Sequence, residues 1–346
     1  MRGTAMNTTL GFAARCPLFL AALFVFASCG SSKNGNGADA GALDGAADGV
    51  TAATVQSPVP TTTWTIEEGF RFQGVTSSCT VRLADGTYRI YFHPSPTGGP
   101  PVGEFSSATS ADGLTWSAPI ETGVARVTGE VGSNPAVVRL ADGTFVMIFE
   151  GQSQGSKAHR FYRATSPDGI VFTRTQGALT GGAVMEPQSG DLDFVSVPDL
   201  VLLADGRLRM YFVAGEDHID SAVSSDSGMT WAREGAIVLP GISSKYVVDP
   251  DVTVLPNGGY WLIFATTPEG ETHLQNHRIR SALSVDGRNF TMETGDRVGV
   301  DNKTQIRFDP DVFVLSDGRY RVNFGEVNTT GSSSVTTLRT ATSPVP

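Results

Sequence analysis

The sequence predicts an all-β protein: a five-bladed β-propeller with four antiparallel strands per blade, its ring closed by an N-terminal strand that completes the C-terminal blade. Three observations carry this expectation. One hairpin phrase occurs five times, as "CTVRLADGTYRIYF" from Cys79, "AVVRLADGTFVMIF" from Ala136, "DLVLLADGRLRMYF" from Asp199, "DVTVLPNGGYWLIF" from Asp251 and "DVFVLSDGRYRVNF" from Asp311. A second hairpin follows in the first four units, as "SSATSADGLTW", "YRATSPDGIVF", "SAVSSDSGMTW" and "SALSVDGRNF". The fifth unit stops at "LRTATSPVP", and its missing piece stands ahead of the first, where "TTTWTIEEG" (61–69) matches "GLTWSAPIETG" (113–123).

The elements follow in chain order. Arg2 and Arg15 precede an apolar run, "PLFLAALFVF", too short to span a bilayer but suited to a signal peptide over 1–28. The run ends in "FASCG", which resembles the lipobox of bacterial lipoproteins and implies lipidation at Cys29. Residues 29–63 are rich in Gly, Ala, Ser and Asp and carry no aromatic side chain. They bury too little to offset their ordering entropy and are expected to form a flexible tether. The propeller is expected over 64–346, on the extracytoplasmic or surface side of a bacterial cell envelope.

Within each unit, Asp-Gly or Asn-Gly joins two runs of β-branched and aromatic residues, the strongest short-range hairpin signal. No helical periodicity competes with this reading. Four strands per unit, A to D, put the short A–B and C–D turns on one rim. The longer, dissimilar B–C loops and the D–A connectors fall on the other, where binding residues collect. Strand A then starts at that variable rim near the axis, so the two "DPD" pairs, Asp249/Asp251 and Asp309/Asp311, should stand at the mouth of a central funnel.

Charge and cysteine content narrow the function. The chain carries 25 basic against 35 acidic residues, a formal net charge of −10, with no basic stripe. That excludes nucleic acid and anionic lipid surfaces as partners, leaving the membrane reached only through the N-terminal lipid. Cys79 is the one cysteine of the body, so a core rather than a disulfide must stabilise what is expected to be a monomer.

Five blades, acidic residues on inner strands and S-x-D-G-x-x-W turns together resemble the arabinanase–levansucrase–invertase superfamily of glycosidases, akin to glycoside hydrolase families 43 and 32. Ser224, Asp226, Gly228, Thr230 and Trp231 also resemble the sialidase Asp-box, a turn-stabilising device. The superfamily resemblance implies a glycan or polysaccharide partner and three catalytic carboxyls, drawn from the first, second and third blades. This sequence departs from that pattern: the aligned positions are Ser77 and Cys79, Asn134 and Ala136, and Val197 and Asp199.

The residues assigned are therefore substitutes. Asp249 or Asp309 is expected to serve as base or nucleophile, Glu186 as acid and Asp199 as modulator, because hydrolysis needs one protonated and one ionised carboxyl across the glycosidic bond. Asp251, Asp311, Glu150 and His218 are expected to bind substrate, with Glu130, Asp191, Asp193, Glu216 and Asp217 nearby. Side chains that only cap backbone N–H groups are the competing reading for each aspartate, and a propeller that binds glycan or protein without cleaving it is the competing function. No cofactor is required. Ligand type alone admits an axial calcium or sodium ion on Asp199, Asp251 or Asp311, while His273 and His277 read as a polar loop.

Overall fold

The computed structural model describes residues 55–59, 63–94, 104–124, 130–153, 156–215, 217–242, 246–268, 276–301, 305–328 and 336–345. Five sheets make up the body. Blade one holds β3 (Val75–Arg82), β4 (Tyr88–Pro94), β5 (Ser106–Ser110) and β6 (Ile120–Glu121). Blade two holds β7 (Glu130–Arg139), β8 (Phe145–Ser153), β9 (His159–Ser166) and β10 (Thr173–Thr175). Blade three holds β11 (Val195–Leu202), β12 (Leu208–Ala214), β13 (His218–Ser224) and β14 (Ala232–Ala236). Blade four holds β15 (Val247–Val254), β16 (Tyr260–Thr266), β17 (Arg278–Ser284) and β18 (Phe290–Met292).

Blade five holds β19 (Gln305–Val314), β20 (Tyr320–Asn328) and β21 (Thr337–Thr342), and takes its fourth strand from the other end of the chain. There β1 (Thr65–Ile66) pairs antiparallel with β21, Thr65 opposite Thr342. A second short strand, β2 (Phe72–Gln73), pairs with the same neighbour, Phe72 opposite Leu338. The inner strands β3, β7, β11, β15 and β19 each contact the next, and β19 returns to β3. The ring is closed, and among the described residues it contains no α-helix.

Each blade is packed on both faces, so the second strands are continuous apolar runs rather than alternating ones. Ile90, Tyr91 and Phe92 are all buried, as are Met210, Tyr211 and Phe212. Every junction has its own core. Tyr91 and Phe105 meet Met147 and Phe149, Ile148 and Phe161 meet Met210 and Phe212, and Tyr211 meets Leu262 and Phe264. Trp261 and Ile263 meet Val322 and Phe324, and Ile90 and Phe92 meet Leu338 across the closure. Val59 and Trp64, each 2% exposed, join the fourth of these cores. The packed body thus reaches back into the segment 29–63.

The A–B turns are alike in all five blades. The N–H of Gly86 donates to the Leu83 carbonyl, as do Gly143 to Leu140, Gly206 to Leu203, Gly258 to Leu255 and Gly318 to Leu315, all at 2.9–3.1 Å. Only the glycines take positive φ, from 84° to 92°, while the preceding Asp or Asn does not. This is the three-residue hairpin with a left-handed glycine, not the two-residue form that Asp-Gly first suggests. The C–D turns serve the preceding blade: Tyr91 Oη donates to the Gly169 carbonyl at 2.7 Å, Arg163 Nε to Ser227 at 2.8 Å and Tyr211 Oη to Gly287 at 2.8 Å.

Candidate functional site on the propeller axis

The inner strands do not begin at the X-Pro-X triplets. They run through them, with a register shift at the same place in every blade, between Val75 and Ser78, Ser133 and Ala136, Ser196 and Asp199, Val248 and Asp251, and Phe308 and Asp311. Proline lacks an N–H and is tolerated in a strand at such a bulge. The residue before it is left-handed in four blades: Asn134 (φ 49°), Val197 (47°), Asp249 (54°) and Asp309 (46°). A left-handed valine is a true outlier, and outliers of this kind gather at functional sites. The five bulges line one axial cavity containing about 350 Å³ of empty space, part of it open to solvent.

The residue after the bulge faces a different task. Asp199 Oδ2 accepts the Val252 N–H at 2.8 Å, Asp251 Oδ2 the Val312 N–H at 3.1 Å, and Asp311 Oδ1 the Thr80 N–H at 2.8 Å. Cys79 Sγ takes the Val137 N–H at 3.2 Å. Each side chain thus reaches one step round the ring, to the backbone of the next inner strand, and Ala136 alone of the five positions has no acceptor to offer. Asp311 does most, since the hydroxyls of Thr80 (2.6 Å) and Ser78 (2.9 Å) also donate to it. Burial raises all three carboxyls, Asp199 to about 7, and the charges of Asp199 and Asp311 raise Asp251 further. Among the described residues no group of three or more His, Cys, Asp or Glu is disposed to hold a metal ion.

The first bulge position, which precedes the proline in blades two to five and Ser78 in blade one, holds Ser77, Asn134, Val197, Asp249 and Asp309, and all of these but Asp249 line the cavity. Asp249 is buried, and its Oδ2 accepts the Asp309 N–H at 3.2 Å. Burial lifts its carboxyl to about 6 against that hydrogen bond. Asp309 is half-buried, and among the described residues its carboxyl accepts no hydrogen bond. Burial, then the charges of Asp249 and Glu150, push it well above the carboxylate range. Glu150 sits between blades two and three. Asn134 Nδ2 donates to it at 2.7 Å, the Ser196 hydroxyl and the Val197 N–H also donate, and His159 Nδ1 pairs with its other oxygen. Burial opposes its ionisation, but these partners outweigh burial and keep it below its usual range.

The remaining expected residues lie elsewhere. Glu186 follows Met185, which bridges to Phe161 on β9, and is bound by Arg160 Nε (3.0 Å) and the Thr180 N–H (3.1 Å). Hydrogen bonds from Thr180, with help from Arg160, hold it below the usual range, whereas an acid catalyst needs a raised one. It does not line the axial cavity. His218 belongs to a separate cluster, with Asp217 at 2.8 Å and Asp220 at 3.4 Å, and Asp220 above all lifts it to about 9. Arg233 ties Asp220 to Asp191 there, at 3.5 and 2.7 Å. Cys29, His273, Glu216 and the segment 1–28 lie outside the described residues.

Sequence reasoning placed Ser77 and Asn134 at aligned inner-strand positions but gave them no role, and it passed over Ser196 and His159. The first two were legible as positions in register with Asp249 and Asp309, and the proline repeated at 135, 198, 250 and 310 marks that register. Ser196 and His159 carry no motif, and only folding brings them to Glu150.

No family model and no curated relative matches the sequence. Solved structures do match. A glycoside hydrolase aligns with a TM-score of 0.61 at 16% identity, covering 83% of this chain and 92% of its own. An N-acetylgalactosamine deacetylase from F. plautii, in complex with blood group B trisaccharide, aligns with a TM-score of 0.59 at 12% identity over 83% and 95% of the two chains. An endo-arabinase from Bacteroides thetaiotaomicron aligns with a TM-score of 0.56 at 14% identity over 81% and 98%. This chain shares their fold. At these identities the likeness reaches no further than architecture.

Proposed function

We propose that the protein is a glycan-binding propeller, carried at the bacterial cell envelope by a lipid on Cys29 and the segment that follows it. One observation carries binding over hydrolysis. Cleavage needs two carboxyls free to face the substrate, and the axis offers few. Asp199, Asp251 and Asp311 are committed to the next blade, and Glu150 is surrounded by donors. Asp309 is the mouth carboxyl that accepts no hydrogen bond among the described residues, a group waiting for a donor from outside. The shared architecture with glycan-acting proteins supports sugar as that donor, since a hydroxylated ligand brings O–H groups to a polar cavity with apolar proline walls.

The test is a panel of plant and microbial polysaccharides, read both for retention and for release of reducing ends. Retention without cleavage, lost at least about tenfold in Asp309→Asn, is the expected result. Hydrolysis is the second reading, favoured by the contact of Asp249 with Asp309 and by carboxyls raised enough for one to hold a proton near neutrality. Release of reducing ends that vanishes in both Asp249→Asn and Asp309→Asn would establish it instead.

A further inference from the structure

From the mouth of the axial cavity we infer the class of sugar: Asp309 and Ser77, which line it, and Asp249, which accepts the Asp309 N–H beside them, together receive a protonated amino group, so the glycan taken carries a free, unacylated amine. The inference rests on the glycan-binding reading above. Blades four, five and one are consecutive round the ring, and these residues occupy the same bulge position in each. An ammonium group has three N–H donors and no acceptor. The arc supplies acceptors to match. The Asp309 carboxyl takes no hydrogen bond among the described residues, and Asp249 has only its Oδ2 engaged. The Ser77 hydroxyl is 4% exposed, has no hydrogen-bond partner among the described residues and lines the same cavity. A buried polar atom without a partner points to a group the protein itself does not supply.

Charge narrows the choice further. Among the described residues no Lys, Arg or His lines the cavity, and His159, the basic group bound to Glu150, is already paired. A sugar carboxylate or sulfate would bring like charge to the two acids, and a plain hydroxyl would bring no positive charge to favour their ionised forms. Acylation of the nitrogen would remove the charge and most of its donors. A metal ion would need ligands converging on one point, and no such group is found among the described residues.

Titration of the intact protein near pH 7 with glucosamine, N-acetylglucosamine, glucose and glucuronate tests this without requiring a linkage to be known. Glucosamine should bind at least about tenfold more tightly than the other three. Asp309→Asn should erase the preference and Ser77→Ala should weaken glucosamine severalfold, with thermal unfolding confirming that both variants are folded. Equal affinity for glucosamine and glucose, or a preference that survives Asp309→Asn, overturns the inference. So does displacement of glucosamine by an equal concentration of calcium, which would assign the arc to a metal. Failure of all four sugars while polysaccharides still bind rejects the amine and leaves glycan binding standing. Failure of the polysaccharide panel as well rejects both.

Discussion

Asp309 and Asp311 flank one proline on one strand, yet their surroundings give them opposite parts. Asp311 accepts the Thr80 N–H and the hydroxyls of Thr80 and Ser78 across the ring closure. Removing it strands buried donors, so Asp311→Ala should cost about 3 kcal/mol in urea or thermal unfolding, and Asp311→Asn less. Asp309 accepts nothing from the described residues and pays for its burial beside Asp249 and Glu150. Asp309→Asn should be neutral or stabilising by about 1 kcal/mol while weakening ligand binding, the trade expected of a functional residue. Loss of stability comparable to Asp311→Asn would show Asp309 to be structural. Sequence reasoning turned both acids toward the substrate, Asp309 as base or nucleophile and Asp311 as binder, because only the position of the bulge decides which one is spent on the next blade.

At the scale of the element, the C–D turns show how much a local motif can fix alone. Asp226 Oδ1 accepts the N–H groups of Met229 (3.1 Å) and Thr230 (2.9 Å), and the Thr230 hydroxyl closes on Oδ2 at 2.6 Å. Its relatives Asp112 and Asp286 are built the same way, and against the cost of desolvation their hydrogen bonds, chiefly from backbone N–H groups, pull them down to about 2. Asp226→Ala should cost about 1–2 kcal/mol, read as a shift in the urea midpoint. A depressed carboxyl contributes stability above its unfolded value and loses it as pH falls through the folded one. The contribution of Asp112 and Asp286 should therefore decline between about pH 4 and pH 2.

At the scale of the whole molecule, closure and axial charge govern stability. Trp64 directly precedes β1, its ring lies 6.0 Å from that of Trp261, and its backbone N–H donates to the Arg297 carbonyl at 2.9 Å. Trp64→Ala should cost about 3–5 kcal/mol, and removal of β1 should expose the edge of β21 and promote aggregation, measured by light scattering. The raised axial carboxyls have the opposite sign to the turns. The folded state holds their protons longer than the unfolded state, so stability should fall as pH rises from about 4 through 6 and 7, where Asp249 and Asp199 titrate. Thermal unfolding should be highest between these two limbs, and Asp199→Asn should flatten the upper one. A profile with no upper limb would mean that the axial carboxyls are solvated.

The number of blades, the hairpins within them and the pairing of the N-terminal segment with the last blade were legible in the amino-acid sequence. These rest on local turn chemistry and on runs of apolar residues, which read the same wherever the chain goes. The tertiary structure decided which acids face solvent. Ser77, Asn134, Val197, Asp249 and Asp309 become one ring only when five bulges meet on an axis, and hydrogen bonds from one blade to the next then commit Asp199, Asp251 and Asp311 to the scaffold. A carboxyl's role depends on burial and on the donors around it, and those are properties of neighbours distant in sequence.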